Sequence, residues 1–240
     1  MTELFELNYS KINAYSFCPF LYKYVYLDGK YAPHNAYSSF GISIHRTLEK
    51  YAAFKGDLES LFIYYEEAWK HEGYKSPGEM MEFYGRGRKL LENFWLREQE
   101  SEAKIALYEK NFDFEAGKFR IKGTIDRVDR LKDGKIELIE YKTGLEERTE
   151  ESLKNDRQLA IYALGLKNSC RMSPDYLSFY LVSIDKKITV PYEGGSETVI
   201  SEYLAVTGEK IMNREFGAKG KCAVCQIRNL CSESESRDVS

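Results

Sequence analysis

The residues of this 240-residue chain that carry the clearest chemistry are two carboxylates and a lysine in two neighbouring predicted strands. The first strand contains Gly123-Thr-Ile-Asp126, and the second contains Glu140-Tyr-Lys142. Because side chains alternate between the two faces of a strand, Glu140 and Lys142 lie on the same face. Carboxylates can hold a hard divalent cation that activates water and neutralises phosphate charge, and a lysine can stabilise that charge or orient the water. The pattern is therefore that of a phosphodiesterase site.

The turn between the two strands decides whether Asp126 shares that face. A two-residue loop would set Asp126 opposite Tyr141, on the wrong face, although it would also form a sensible arginine–glutamate pair across the strands. A three-residue loop would set Asp126 opposite Glu140 instead. Because such loops combine a type I turn with a left-handed residue, we predict a bulged turn with Gly134 in the left-handed conformation.

The elements that must position these residues form two groups, which together predict an α/β fold with a small mixed sheet. Helical periodicity dominates the first hundred residues, and strand alternation then takes over. The predicted helices are 10–27, capped by Ser10, then 40–54, 57–71 and 78–98, then 150–166, capped by Thr149, and finally 197–214. The predicted strands are 104–115, 118–131, 135–141, 176–182 and 187–190.

The composition excludes some classes of protein. Lysine and arginine number 35 against 38 aspartates and glutamates, which gives a net charge of −3 and excludes a protein that coats nucleic acid through bulk charge, though not one with a local basic groove. We find no apolar run of the ~18 residues that a membrane helix needs and no signal pattern, so we expect a cytoplasmic protein without a membrane partner. The five cysteines are then better explained as ligands or buried thiols than as disulfides.

Taken alone, Asp…Glu-x-Lys is common on the solvated face of a strand, but three other motifs accompany it. Gly41-Ile-Ser-Ile-His45 lies on an early helix, and Gln158-Leu-Ala-Ile-Tyr162 lies on the helix after the lysine strand. The cysteines follow the order Cys18, then Cys222-x-x-Cys225 and Cys231. From Cys18 to Cys231 the chain resembles the RecB-like branch of the PD-(D/E)xK nuclease superfamily. More narrowly, it resembles its iron–sulfur members, the CRISPR-associated RecB-like exonucleases and the nuclease domain of the AddB helicase-nuclease subunit.

The resemblance implies a restriction-endonuclease-like core and a role for each matching residue. Four groups would hold Mg²⁺ or Mn²⁺: His45, Asp126, Glu140 and the backbone carbonyl of Tyr141. Three would act beside the cation: Lys142 as the catalytic lysine, with Gln158 and Tyr162 facing the site to hold the DNA or the lysine. The alternative for His45 is a surface or core histidine, and for Gln158 and Tyr162 an amphipathic helix that packs Tyr162 inward.

The resemblance also implies that four cysteines bind one cluster. Cys18, Cys222, Cys225 and Cys231 would hold a [4Fe–4S] cluster that clasps the N-terminal helix to the C-terminal end. Structural zinc also suits four thiolates, although the paired spacing of zinc ribbons is absent. Cys170 is left out of this set, and we expect it to serve packing alone.

We therefore expect one nuclease domain over residues 1–231. Its helical part would cover about 30–100 and its catalytic sheet core about 104–192, and its cluster-binding end would cover 215–231, followed by a disordered tail at 232–240. The resemblance implies a DNA exonuclease that would act on single-stranded ends. It would serve DNA repair and recombination or CRISPR spacer acquisition, with helicase or CRISPR integrase subunits as partners. Two alternatives remain: a catalytically idle DNA-end-binding subunit, and a redox or iron sensor.

Overall fold

The computed structural model describes residues 4–31, 34–144, 148–194, 197–217 and 221–233. The strands are β1 Phe5–Asn8, β2 Lys104–Ala116, β3 Phe119–Arg130, β4 Ile136–Lys142, β5 Tyr176–Leu181 and β6 Lys186–Pro191. The α-helices are α1 Tyr9–Phe17, α2 Pro19–Tyr22, α3 Ala36–Phe54, α4 Leu58–Ala68, α5 Pro77–Glu100, α6 Glu150–Lys154, α7 Arg157–Cys170 and α8 Glu197–Met212. A π-helical turn at Lys23–Leu27 follows α2, and short 3₁₀ turns occur at Val182–Ile184, Cys222–Val224 and Arg228–Leu230.

The chain forms two compact units. The first comprises residues 1–33, 113–123 and 195–240, and the second comprises 34–112 and 124–194. The tail expected to be disordered lies, from Ser234 onward, outside the described residues. No helix in the described part of the chain combines the length and apolar character needed to cross a bilayer.

The second unit contains a mixed sheet in the order β3-β4-β5-β6. The β3–β4 and β5–β6 pairs are antiparallel, whereas β4 and β5 are parallel. A parallel pair requires a crossover connection, and α6 and α7 supply it between β4 and β5. On one face of the sheet, α3, α4 and α5 pack over Ile139, Tyr141 and Tyr180. The predicted α/β architecture, a mixed sheet flanked by helices, is confirmed.

The turn between β3 and β4 has the predicted three-residue form. The Leu131 N–H donates to the Lys135 carbonyl at 2.8 Å, and Gly134 has a φ of 85°. The residues that pair across the two strands run in one unbroken register from this turn. If the register is continued by one position beyond the Arg127–Ile139 pair, Asp126 lies opposite Glu140, as the bulged turn requires.

The alternative two-residue turn is wrong. Arg130 pairs with Ile136 rather than with Glu137. Glu137 is instead buried among the hydroxyls of Ser178 and Thr189 and the ammonium group of Lys187. The arginine–glutamate pair that favoured the shorter loop is therefore absent.

The N-terminal helix differs from the prediction in both its start and its continuity. Asn8 rather than Ser10 caps α1, since its side chain accepts a hydrogen bond from the Lys11 N–H. The helix then breaks at Cys18, whose φ of −161° and ψ of 119° are extended. Pro19 explains the break, because proline disfavours the helical conformation in the residue before it.

Two further elements were not predicted correctly. The helix expected over 150–166 is divided into α6 and α7, because Asp156 leaves the helical conformation and caps α7 by accepting from the Leu159 N–H. The short strand β1 was not predicted at all, and it pairs in parallel with the first residues of β3, beginning with Phe5 opposite Phe119.

A buried ion network stabilises the face of the sheet covered by α3, α4 and α5. The Arg127 guanidinium donates to both oxygens of Asp129, at 2.6 and 2.7 Å, and to Glu98 at 2.7 Å. The Arg127 side chain is only 5% exposed and that of Asp129 only 3%. The same guanidinium lies 3.4 Å from the hydroxyl of Tyr141, the residue that precedes Lys142 in β4. The network therefore holds the Tyr141 side chain in place.

Candidate functional site

The site is built on the end of β4, in the second unit. The Lys142 ammonium group donates to Glu140 Oε1 at 3.0 Å, so these side chains share one face of the strand as alternation predicts. Glu140 is only 5% exposed, whereas Lys142 is partly exposed. The lysine therefore lies between a buried carboxylate and solvent, where a substrate phosphate can reach it.

Asp126 joins this site from β3. Its Oδ2 accepts the Tyr141 N–H at 2.9 Å, next to the last pair of the β3–β4 register. The carboxylate thus accepts a backbone N–H of β4 just beyond the paired residues. This contact fixes Asp126 beside Glu140, which follows from the three-residue turn.

His45 reaches the site from α3. Its Nδ1 lies 3.8 Å from Asp126 Oδ2, and its ring meets the Tyr141 ring edge-on. One helical turn earlier, a Cβ on Gly41 would lie 2.9 Å from the Thr143 Oγ1. The absence of a side chain at Gly41 therefore allows α3 to approach the end of β4, which gives the Gly-x-x-x-His spacing a physical reason.

Gln158 connects the lysine and the buried carboxylate. Its Oε1 accepts from Lys142 Nζ at 2.7 Å, and its Nε2 donates to Glu140 Oε1 at 2.7 Å. The same Nε2 lies 3.1 Å from the Tyr162 hydroxyl, while the Tyr162 ring packs against Phe112. Gln158 therefore faces the site directly, and Tyr162 both packs inward and supports Gln158.

Glu109, on β2, was missed by the sequence reasoning. Ligand atoms of His45, Glu109 and Asp126 all lie within 4.8 Å of one another. Glu109 has a φ of 40°, which is rare for any residue but glycine, asparagine or aspartate. The sequence signal is faint: apolar residues occupy positions 105 and 107 and then 112 and 114, so the strand alternation shifts by one near Glu109.

Burial and mutual repulsion disfavour the ionised forms of the carboxylates in the site. Burial raises the pKa values of Glu140 and Asp126, and Asp126 raises that of Glu140 further. Burial, together with Asp126, Glu49 and Glu140, raises the pKa of Glu109 to about 7. Burial lowers the pKa of His45, which keeps the imidazole neutral and able to act as a ligand.

The donor set fits a divalent cation. Glu140 Oε2 is buried and has no hydrogen-bond partner among the described residues. A buried carboxylate oxygen without a partner is costly, and a cation coordinated by carboxylate oxygens and an imidazole would satisfy it. His45 and Asp126 therefore fit the predicted cation together with Glu109, and the unpartnered Glu140 oxygen is available as a further donor.

The four cysteines expected to act together line one cavity in the first unit. Cys18 and Cys231 are buried, Cys222 and Cys225 are partly exposed, and all are free thiols. Burial raises the pKa of the Cys225 thiol, and the other three thiols raise it further. Leu21 and Ile227 complete an apolar surround. Cys170 does not line this cavity.

Comparison with known proteins adds a family and a fold. A family model described as the PD-(D/E)XK nuclease superfamily matches residues 6–232. A crystal structure from Eubacterium rectale, described as a "Putative exonuclease", has a TM-score of 0.56 at 9% identity, covering 94% of this chain and 87% of that one. The crystal structure of SSO0001 has a TM-score of 0.40 at 16% identity, covering 80% of this chain and 84% of that one, which is too low to support an argument. No curated protein matches.

Proposed function

Because the chain belongs to the PD-(D/E)XK nuclease superfamily, we propose that it is a DNA exonuclease that hydrolyses phosphodiester bonds with Mg²⁺ or Mn²⁺. The family implies a metal-dependent nuclease. The observation that carries the proposal is the convergence of Asp126, Glu140 and Lys142 on one face of the sheet, with His45 beside them. A catalytically idle DNA-binding domain has no need of this complete set.

His45, Asp126, Glu140 and the Tyr141 carbonyl would hold the cation. When bound, the cation supplies positive charge to the scissile phosphate and acidifies the attacking water. Asp126 is already oriented by the Tyr141 N–H, so it offers its remaining lone pairs without reorganisation. The neutral imidazole of His45 adds a nitrogen ligand without adding repulsive charge.

Lys142 would act on the phosphate itself. Its ammonium group is fixed by Glu140 Oε1 and Gln158 Oε1, at 3.0 and 2.7 Å. This leaves its third N–H free to donate to a phosphate oxygen or to the attacking water. Such preorganised donors stabilise developing charge because they need no reorientation during the reaction. Gln158 and Tyr162 serve as positioning residues, because they hold the lysine and the buried carboxylate in place.

The substrate proposal, single-stranded DNA ends, rests on the resemblance to RecB-like exonucleases. Its test is the degradation of three labelled substrates by the purified protein with Mn²⁺: linear single-stranded DNA, the same sequence as a covalent circle, and linear RNA. We expect stepwise loss of the linear DNA, with the circle and the RNA intact. Cleavage of the circle as fast as the linear DNA would show an endonuclease, and cleavage of RNA alone would show the wrong substrate.

We further propose that Cys18, Cys222, Cys225 and Cys231 bind a [4Fe–4S] cluster. A single zinc ion, with Zn–S bonds of about 2.3 Å, draws its thiolates close together. Among the described residues, no three cysteine sulfurs lie within 4.8 Å of one another, although all four line one cavity. That wider spacing favours a polynuclear cluster over zinc. When bound, the cluster would link α2 to the C-terminal end and contribute to folding.

Metal analysis of protein purified without oxygen tests the cluster. We expect about four iron and four sulfide per chain, in line with a [4Fe–4S] centre. One zinc per chain and no sulfide would overturn the assignment.

From the same resemblance we propose that the protein acts in the cytoplasm, in DNA repair and recombination or in CRISPR spacer acquisition, beside helicase or integrase subunits. Co-purification of this chain with the subunits encoded beside it would test this setting.

A further inference from the structure

We infer that Glu109 is an additional ligand of the cation site, brought to it by a bulge in β2. The inference rests on the proposed function in one respect, because it assumes that the site binds a divalent cation. It adds a fourth side-chain ligand to His45, Asp126 and Glu140, and a third carboxylate.

The distances place Glu109 within coordination range. A ligand atom of Glu109 lies within 4.8 Å of both a ligand atom of His45 and one of Asp126. In the part of the chain that the structure describes, no other three histidine, cysteine or acidic side chains come so close. A cation with oxygen ligands at 2.0–2.6 Å would require little movement of these three groups.

The backbone of β2 explains how Glu109 reaches the site. Residues 105, 107 and 109 are half-buried, and the burial then resumes at Phe112 and at positions 114 and 116. The alternation therefore slips by one residue between Glu109 and Phe112, which is the mark of a β-bulge. The φ of 40° at Glu109 lies at this slip. Strained backbone of this kind concentrates at functional sites, where the rest of the fold maintains it.

The orphaned oxygen of Glu140 is a second, independent indication that a ligand belongs here. Glu140 is 5% exposed, and its Oε2 has no hydrogen-bond partner among the described residues. The Asp126 carboxylate acts electrostatically on Glu140, and both act on Glu109. The bulge therefore adds a third carboxylate to a pair whose two negative charges are offset only in part by Lys142.

The charge balance of the site is consistent with a third carboxylate ligand. Glu109, Asp126 and Glu140 carry three negative charges when ionised, and Lys142 returns one positive charge. A single divalent cation then neutralises the site. The extra carboxylate therefore strengthens cation binding without leaving an excess positive charge.

Calorimetric titration with Mn²⁺ tests the inference in three proteins: wild type, Glu109→Gln and Glu49→Gln. Glu49 is an exposed carboxylate on α3 that also acts on Glu109, so its variant removes nearby charge without removing the inferred ligand. We expect Glu109→Gln to weaken Mn²⁺ binding at least tenfold and Glu49→Gln less than threefold. Equal losses in both variants would show a general electrostatic effect and overturn the inference.

Thermal unfolding in EDTA separates a ligand from a structural role. Because Glu109→Gln relieves repulsion among the carboxylates, its unfolding temperature without metal should equal or exceed that of wild type. Its gain in unfolding temperature on adding Mn²⁺ should be smaller than that of wild type. If Glu109→Gln has a lower unfolding temperature in EDTA than wild type but the same Mn²⁺ affinity, the inference about Glu109 is wrong and the proposed function stands. If wild-type protein binds no Mn²⁺, the proposed function is wrong as well.

Discussion

The contact between Gly41 and Thr143 predicts that one methyl group on α3 will impair the site. A Cβ at Gly41 would lie 2.9 Å from the Thr143 Oγ1, about 0.5 Å closer than the 3.4 Å of ordinary contact. The Gly41→Ala variant must therefore rotate Thr143 or move α3 away from the end of β4. His45 lies one helical turn further along α3, so it moves with the helix.

The free energy of unfolding will be a poor guide to this effect. Overpacking of a tight contact costs about 1–3 kcal/mol. Alanine in place of glycine within a helix returns about 1 kcal/mol. The net loss should be about 0–2 kcal/mol, whereas a displacement of His45 by half an ångström or more should lower catalytic efficiency about 10–100-fold.

The assay is kcat/KM for single-stranded DNA with Mn²⁺, measured in four variants. Gly41→Ala should lose 10–100-fold, on the order expected for a misplaced group. The double variant Gly41→Ala/Thr143→Ala should recover most of this loss, because the next Thr143 atom, Cβ, lies at an ordinary 3.9 Å. Thr143→Ala alone should resemble wild type, and Gly85→Ala, with open space around it, should leave activity unchanged. Wild-type efficiency in Gly41→Ala, or no recovery in the double variant, would refute the reasoning.

Three further predictions address other parts of the molecule. Gln158→Leu should lower kcat about 10–100-fold at saturating Mn²⁺, because Lys142 loses its positioning partner; an unchanged kcat would contradict this. Arg127→Met should lower the free energy of unfolding in urea by about 3–5 kcal/mol, because it leaves Asp129 charged and buried, and a loss below about 1 kcal/mol would show that the network is dispensable. Cys18→Ser should lose most of its iron and sulfide, whereas Cys170→Ser should keep both; equal iron in the two would exclude Cys18 as a ligand.

The sequence allowed much of the site geometry to be predicted. Strand alternation placed Glu140 and Lys142 on one face, and loop length in the β3–β4 turn set the register of Asp126. Both rules depend on backbone geometry that any residue on the strand must obey. The glycine at position 134 then specified the left-handed turn residue, with a φ of 85°.

The rest depended on tertiary contacts that residue type does not encode. A positive φ at Glu109 contradicts the local preference of glutamate, so only the surrounding fold maintains it. The strand β1 has four residues and obtains its hydrogen bonds from the start of β3, far along the chain. Pro19 could have predicted the helix break at Cys18, because proline disfavours the helical conformation in the residue before it. The helical periodicity of the residues on both sides instead favoured one continuous helix.

The most direct test of the account is the effect of removing the lysine on DNA cleavage and Mn²⁺ binding together. Lys142→Met should lower kcat on single-stranded DNA about 10²–10³-fold, because it removes a preorganised donor to the phosphate. Mn²⁺ affinity should equal or exceed that of wild type, because Lys142 is not a ligand and its removal takes a positive charge from the site. Lys135 is an exposed lysine at the β3–β4 turn, so the control variant Lys135→Met should match wild type in both measurements. Cleavage by Lys142→Met at the wild-type rate would contradict the proposed nuclease site.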